Sequence, residues 1–156
     1  MIETQSVKGH VFFDIEYKDG HKEKIDFPNT VLINGKRVAP LVLANQIGNT
    51  FDYYVTKMLF GDGGTDSGTK KYVSANRNGL FGVTRLAKPV VATIDNLLPT
   101  QVNFTSVVKF EDAVGVILNE MALQMSNGDL YSMTTFSDLT KTDEMQITIT
   151  WQIYYL

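Results

Sequence analysis

The stretch Met145-Gln146-Ile147-Thr148-Ile149-Thr150-Trp151-Gln152-Ile153-Tyr154-Tyr155 decides the fold. Met145, Ile147, Ile149, Trp151, Ile153 and Tyr155 fall on one face and Gln146, Thr148, Thr150 and Gln152 on the other, the period of two that a half-buried strand requires. A one-residue slip would turn the whole apolar set into solvent, so the pairing of this strand is well specified.

Working back from it, Ser126-Asn127-Gly128-Asp129 carries the Asn-Gly signal of a two-residue hairpin and predicts that 116–125 pairs with 130–136. Further strands are expected at 90–94 and 102–110, and the aromatic, β-branched run 51–60 suits another. Near the start, Val11, Phe13, Ile15 and Tyr17 share a face, Asp19-Gly20 supplies a tight turn, and 22–27 returns with Ile25 and Phe27 facing inward before Pro28 ends it. The segment 30–47 is the one helical candidate, with Val31, Leu32, Val38, Leu41, Val42 and Ile47 as an apolar stripe and Gly48 as the stop. Gly35 and Pro40 divide that reading between one long helix and a short one after Pro40. The expected fold is mainly β: one domain over 1–156, an antiparallel β-sandwich or jelly-roll-like unit with an N-terminal hairpin and one short helix. Residues 1–29 are a candidate assembly arm, and 61–71 form a long, mobile Gly-rich loop.

Composition narrows the function classes. A chain of 156 residues with 44% hydrophobic and 20% charged residues folds around an ordinary core. Lys+Arg 14 against Asp+Glu 17 gives a net charge of −3 with no basic stripe, and the Lys22-Glu23-Lys24 cluster mixes signs, so neither nucleic acid nor an anionic membrane is an expected partner. Cysteine is absent, which removes disulfides, thiolate chemistry and cysteine metal sites. The start lacks a basic segment followed by an apolar one, and no long apolar run occurs, so synthesis in the cytoplasm is expected.

No set of side chains assembles into an active site, and no enzyme activity, metal or cofactor is expected. Gly63 and Gly68 have P-loop spacing, but Thr69 stands where the lysine must be; a calcium loop built on Asp62 and Asp66 lacks further acidic ligands. His10 and His21 flank the first hairpin without a third ligand and read as surface residues. Glu111-Asp112 and Asp143-Glu144 sit at turns, where paired carboxylates are solvated rather than set across a cleft. Glu120 lies inside an apolar strand, either facing solvent with Leu118 and Ala122 or buried beside Arg77, Arg85 or Lys109.

From about Gly79 onward the motifs come in a recognisable order: Gly79-Leu80-Phe81, then Asn119-Glu120-Met121-Ala122-Leu123, Asn127-Gly128-Asp129-Leu130, Phe136-Ser137-Asp138-Leu139-Thr140-Lys141-Thr142, and the aromatic last strand. In that order the chain resembles virion proteins of tailed bacteriophages, whose strand–turn–strand units occur in tail-attachment modules, baseplate and neck components and small head-associated proteins. The resemblance implies a virion structural protein, made in the host cytoplasm, that decorates or cements the head or forms part of the neck or tail. Its implied partners are other virion proteins of capsid, neck or tail and further copies of itself. Candidate interface residues are Tyr53, Tyr54, Tyr131, Tyr154 and Tyr155, since aromatic side chains are enriched at interface cores, together with Gly63 and Gly64 of the loop. The alternative is a carbohydrate- or receptor-binding β-sandwich in which Tyr53, Tyr54 and Trp151 would stack on sugars, although the alternation around Trp151 favours its burial.

Overall fold

The computed structural model describes residues 6–46 and 53–156. The chain forms two five-stranded antiparallel sheets enclosing one core, the mainly β sandwich that the alternation predicts. The first sheet holds, side by side, β2 (Lys22–Pro28), β1 (Val7–Tyr17), β12 (Met145–Tyr155), β9 (Gln101–Val108) and β8 (Val91–Thr93). The second holds β3 (Thr30–Val31), β11 (Leu130–Thr140), β10 (Ile117–Met125), β4 (Val55–Gly61) and β7 (Thr84–Pro89). A small hairpin of β5 (Thr65–Asp66) and β6 (Thr69–Lys70) stands apart.

β12 is the spine of the first sheet. Its register puts Trp151 between Val11 and Phe104, and Ile147 between Ile15 and Val108, so each row across three strands points one apolar set inward. Val11, Phe13, Ile15, Ile149 and Trp151 are buried, and Phe13, Phe27 and Phe136 meet across the sheets with centroids 5.1–5.3 Å apart. Such rings add packing energy beyond the area they bury. The Trp151 indole N–H and the Ser132 hydroxyl have no hydrogen-bond partner among the described residues, a cost that apolar burial has to outweigh.

The chain crosses between the two large sheets four times, and two of the crossings take a single residue. β2 runs into β3 through Asn29, and β7 runs into β8 through Val90, whose N–H donates to the Thr56 carbonyl at 3.1 Å. Covalent continuity therefore bridges both long sides of the sandwich. Both turns read from Asp-Gly and Asn-Gly form, but as three-residue loops over 18–20 and 126–128 in place of the two-residue turn expected at Asn-Gly, with Gly20 at φ +94° and Gly128 at φ +92°, values an L side chain resists.

Three expectations need correction. Within 30–47, Thr30–Val31 is strand, held by pairing to Met133 and Ser132, and only the short α1 (Ile33–Lys36) and α2 (Val38–Leu43) are helical. Pro40 does not precede the helix but sits in the first turn of α2, where a missing N–H costs nothing; Val42, expected in the apolar stripe, is exposed, and Ile47 and Gly48 lie outside the described residues. Ile25 faces inward by register but is 39% exposed, because β3 is too short to cover the far end of β2. The alternation expected of a half-buried strand is absent from β10, where every residue from Leu118 to Leu123 is buried. One face of β10 contributes Met121 and Leu123 to the main core; the other puts Ala122 against a second cluster with Leu32, Leu59, Val73, Leu130 and Met133, roofed by Leu80 and Phe81. A strand covered on both faces loses its period of two.

The contrast between fully and partly covered strands has a measurable form. Ile149→Ala, at 0% exposure, is expected to lower stability by about 2–5 kcal/mol, and Ile25→Ala by about 1 kcal/mol or less, since a half-exposed side chain leaves no closed cavity. Urea unfolding of the two variants checks this; equal losses would contradict the uncovered end of β2.

Candidate functional site

The Gly-rich segment is ordered by the strand it crosses. Leu118 and Glu120 are separated by an irregularity in the β10–β11 ladder, and this lets two consecutive polar side chains, Asn119 and Glu120, both be buried. The Glu120 carboxylate accepts the backbone N–H groups of Phe81 (2.8 Å), Gly82 (2.9 Å) and Gly63 (3.1 Å). Asn119 accepts the Gly64 N–H at 2.7 Å and donates to the Asp62 carbonyl, the Thr65 hydroxyl and the Asp138 carboxylate. The loop 61–71, expected to be mobile, is thus clamped at three backbone groups and the segment at Phe81 and Gly82 at two more, and Glu120 is buried without the cation expected beside it. Arg77 instead lies over the Phe81 ring at 3.6 Å and donates to the Gly79 carbonyl, while Arg85 pairs with Asp62.

Gly63 and Gly82 serve close approach here. A Cβ on Gly63 would stand 2.3 Å from the Gly82 nitrogen, and one on Gly82 would stand 2.7 Å from the Gly63 nitrogen. The two backbones press together so that one carboxylate can take an N–H from each. Gly63 and Gly64 therefore pack inside the domain, Gly64 fully buried, and the loop bears neither phosphate nor calcium geometry: Asp62 is turned to Arg85, and Asp66 is exposed on β5.

The other titratable candidates are tied into local structure. His10 contacts Asp26 at 2.7 Å, and His21 stacks on Tyr17 and contacts Asp19, both on the surface. Asp112 pairs with Lys88 at 2.8 Å and caps the Lys109 N–H. Near it, Lys141 is wholly buried and donates to the Phe110 and Thr142 carbonyls at 3.1 and 2.8 Å. Burial lowers its pKa against the opposing charges of Asp112, Glu111 and Asp143. The acidic pairs of the sequence thus gather around a buried lysine, a residue the sequence reading passed over because a single lysine at a strand end carries no signal of burial. Among the described residues no three His, Asp or Glu side chains gather as a metal site.

The tyrosines divide. Tyr131 is in the core, its hydroxyl 3.0 Å from that of half-buried Tyr155; Tyr154 stands half-buried on the outer face of the first sheet; Tyr53 is half-buried and Tyr54 exposed ahead of β4. Trp151, with no exposed surface, has no ring face to offer a sugar. A run of exposed apolar side chains lies elsewhere, in β8 and the turn to β9: Val91, Ile94, Leu97 and Leu98 are 65%, 61%, 87% and 51% exposed. Among the described residues no helix is long and apolar enough to cross a membrane.

No protein-family model matches the chain, and neither a curated protein nor a solved structure does.

Two outcomes follow from the clamp and the buried groups. Glu120→Ala strands three N–H groups and is expected to cost about 3 kcal/mol or more, with proteolysis then cutting within 61–83; unchanged stability would contradict the clamp. In acid, desolvation pushes the Asp112 pKa up, but the hydrogen bonds and charges of Lys88 and Lys109 outweigh it, and bonds from Thr65 and Asn119 hold Asp138 low, so both lie below 3.8 in the fold. The unfolded chain takes protons first, so stability present above pH 3.8 is lost as pH falls through the folded values. In alkali the sign reverses for Tyr131, whose pKa burial and the Tyr155 bond push well above 10.0: the unfolded chain loses that proton first, and stability falls above pH 10. Tyr131→Phe should flatten the Tyr131 part of that fall in chemical denaturation run across pH.

Proposed function

We propose that this chain is a non-enzymatic structural protein of a tailed-phage virion, in head decoration, neck or tail, assembling with copies of itself and with other virion proteins through the β8–β9 hairpin. The observation that carries the reading is the character of that hairpin. Between Pro89 and Val108 the one ionisable side chain is Asp95, and residues 91–100 are exposed throughout. The other terminal strands are guarded against pairing with a stranger: β2 carries Lys22, Glu23, Lys24 and Asp26 and closes on Pro28, β7 carries Arg85, Lys88 and Pro89, and β3 is two residues long. Charge, proline and brevity are the usual means of blunting a sheet edge. β8, with Val91, Ala92 and Thr93 leading to Ile94, has brevity alone, and its exposed apolar tip is of the kind that marks a contact surface.

The motif order from Gly79 to Tyr155 supports the virion context, and strand addition at an open edge supports the mode of assembly. A particle protein held by many weak, repeated contacts needs no cleft with perturbed acids and bases, and the titratable groups here are spent on packing loops.

The measurement is the solution mass of the purified protein, together with its binding to phage heads and to separated tails. A closed trimer or hexamer that binds heads is expected for a decoration protein, and binding to tails for a connector or baseplate part. Leu97→Asp, on an 87% exposed site, should leave the fold intact by circular dichroism and weaken self-association at least tenfold. A monomer that binds neither heads nor tails sinks the proposal.

A further inference from the structure

The outer face of the first sheet is divided by charge. Over β2 and β1 it carries Lys22, Lys24, Asp26, His10, Asp14 and Glu16; over β12, β9 and β8 the outward side chains are threonine, glutamine, asparagine, valine and tyrosine, with no charge. At the seam stands Phe12, a half-buried aromatic ring on the water side of β1, while its neighbour Phe13 is buried. The register surrounds it with polar groups on every side: Asp26 directly across on β2, Thr150 directly across on β12, and His10 and Asp14 two residues away on its own strand. A depression of about 450 Å³ opens there, lined by Phe12, Asp14, Lys24, Asp26, Thr150 and Gln152 among others.

We propose that this depression binds a neutral saccharide, with Phe12 as the stacking platform and Thr150, Gln152 and the carboxylates of Asp26 and Asp14 as hydrogen-bonding rim. The carboxylates of the rim already have partners: the His10 ring lies 2.7 Å from Asp26, and the Lys24 ammonium lies 3.7 Å from Asp14. A charged ligand would have to displace one of these partners, whereas a hydroxyl can use the carboxylate oxygens that remain free. The Thr150 hydroxyl and the Gln152 amide make no hydrogen bond within the described residues, so the rim holds unused donors and acceptors beside an apolar ring, the pairing that a sugar's hydroxyl edge and C–H face complement. The site continues over the uncharged rows of β12 and β9, roughly 5 and 10 Å further on, which favours an oligosaccharide over a single sugar. It differs in every stacking residue from a site built on Tyr53, Tyr54 or Trp151, and it does not rest on the virion reading.

The test uses the whole chain against an array of neutral hexose oligosaccharides printed beside their sulfated and uronic-acid counterparts, with hits titrated by calorimetry. Binding to neutral glycans is expected, weakened at least tenfold by Phe12→Ala and several-fold by Gln152→Ala, while Gln146→Ala, at the far end of the same face, leaves it unchanged. If Phe12→Ala does not fold, Gln152→Ala and Thr150→Ala carry the comparison. Binding confined to the acidic glycans, no binding at millimolar sugar, or binding indifferent to these variants overturns the proposal. Solution mass separates the two readings: lost sugar binding in Phe12→Ala with the parent's mass unchanged concerns this site alone, and lost assembly in Leu97→Asp with sugar still bound concerns the hairpin alone.

Discussion

The second sheet depends on one carboxylate. Glu120 sits on the side of β10 that a simple sandwich would leave wet, and its oxygens take three N–H groups from two chain segments far apart in sequence. A buried carboxylate is tolerated only where donors replace the water it gives up. Because those donors are backbone, satisfying them fixes the path of the chain over 62–83, and that path is what lays Leu80, Phe81 and Val73 over Leu59, Ala122 and Met133. The outer apolar cluster is in this sense a consequence of a polar contact, and an apolar residue at 120 would fill the volume without telling the excursion where to go.

The first sheet is organised on the opposite plan. It has one dry face and one wet one, its strands alternate, and no excursion covers it. That difference explains why the sequence was legible in one half of the sandwich and opaque in the other. β12 was readable to the residue because period-two alternation is the direct imprint of one-sided burial, and the two hairpins were readable because Asp-Gly and Asn-Gly answer to local turn geometry. The strand content of Ile117–Met125 was visible, but not what lay on its far side, since burial on both faces erases the pattern that reports orientation. Thr30 and Val31 looked helical only because they continue the spacing of Leu32 and Val38; their pairing with β11, a hundred residues on, leaves no local trace.

Site residues follow the same division. Gly63 and Gly64 attract notice as a flexible or phosphate-holding loop, yet their small size serves contact between backbones, a requirement set by Gly82 and Asn119, which no local reading connects to them. Tyr131, a candidate interface aromatic, is core in fact, whereas Trp151 is buried as the alternation around it favoured. Phe12 drew no notice although the alternation that sets Val11, Phe13 and Ile15 on one face already sets it on the other; what the register adds is the ring of polar groups around it.

The position of β12 bears on how the protein is made. It is the central strand of its sheet and is made after every other strand of the sandwich, and its partner across Val7↔Tyr155 is synthesised 148 residues earlier. Closing a loop of that size offers nothing until the final strand arrives, and topologies rich in such distant pairings fold slowly. Until then β1 and β9 have no neighbour between them and their apolar faces stay unclaimed, so the nascent chain is most prone to stick to its fellows just before β12 emerges. Loss of β12 as a whole would leave two half-sheets, β2 with β1 and β9 with β8, in place of a shortened domain.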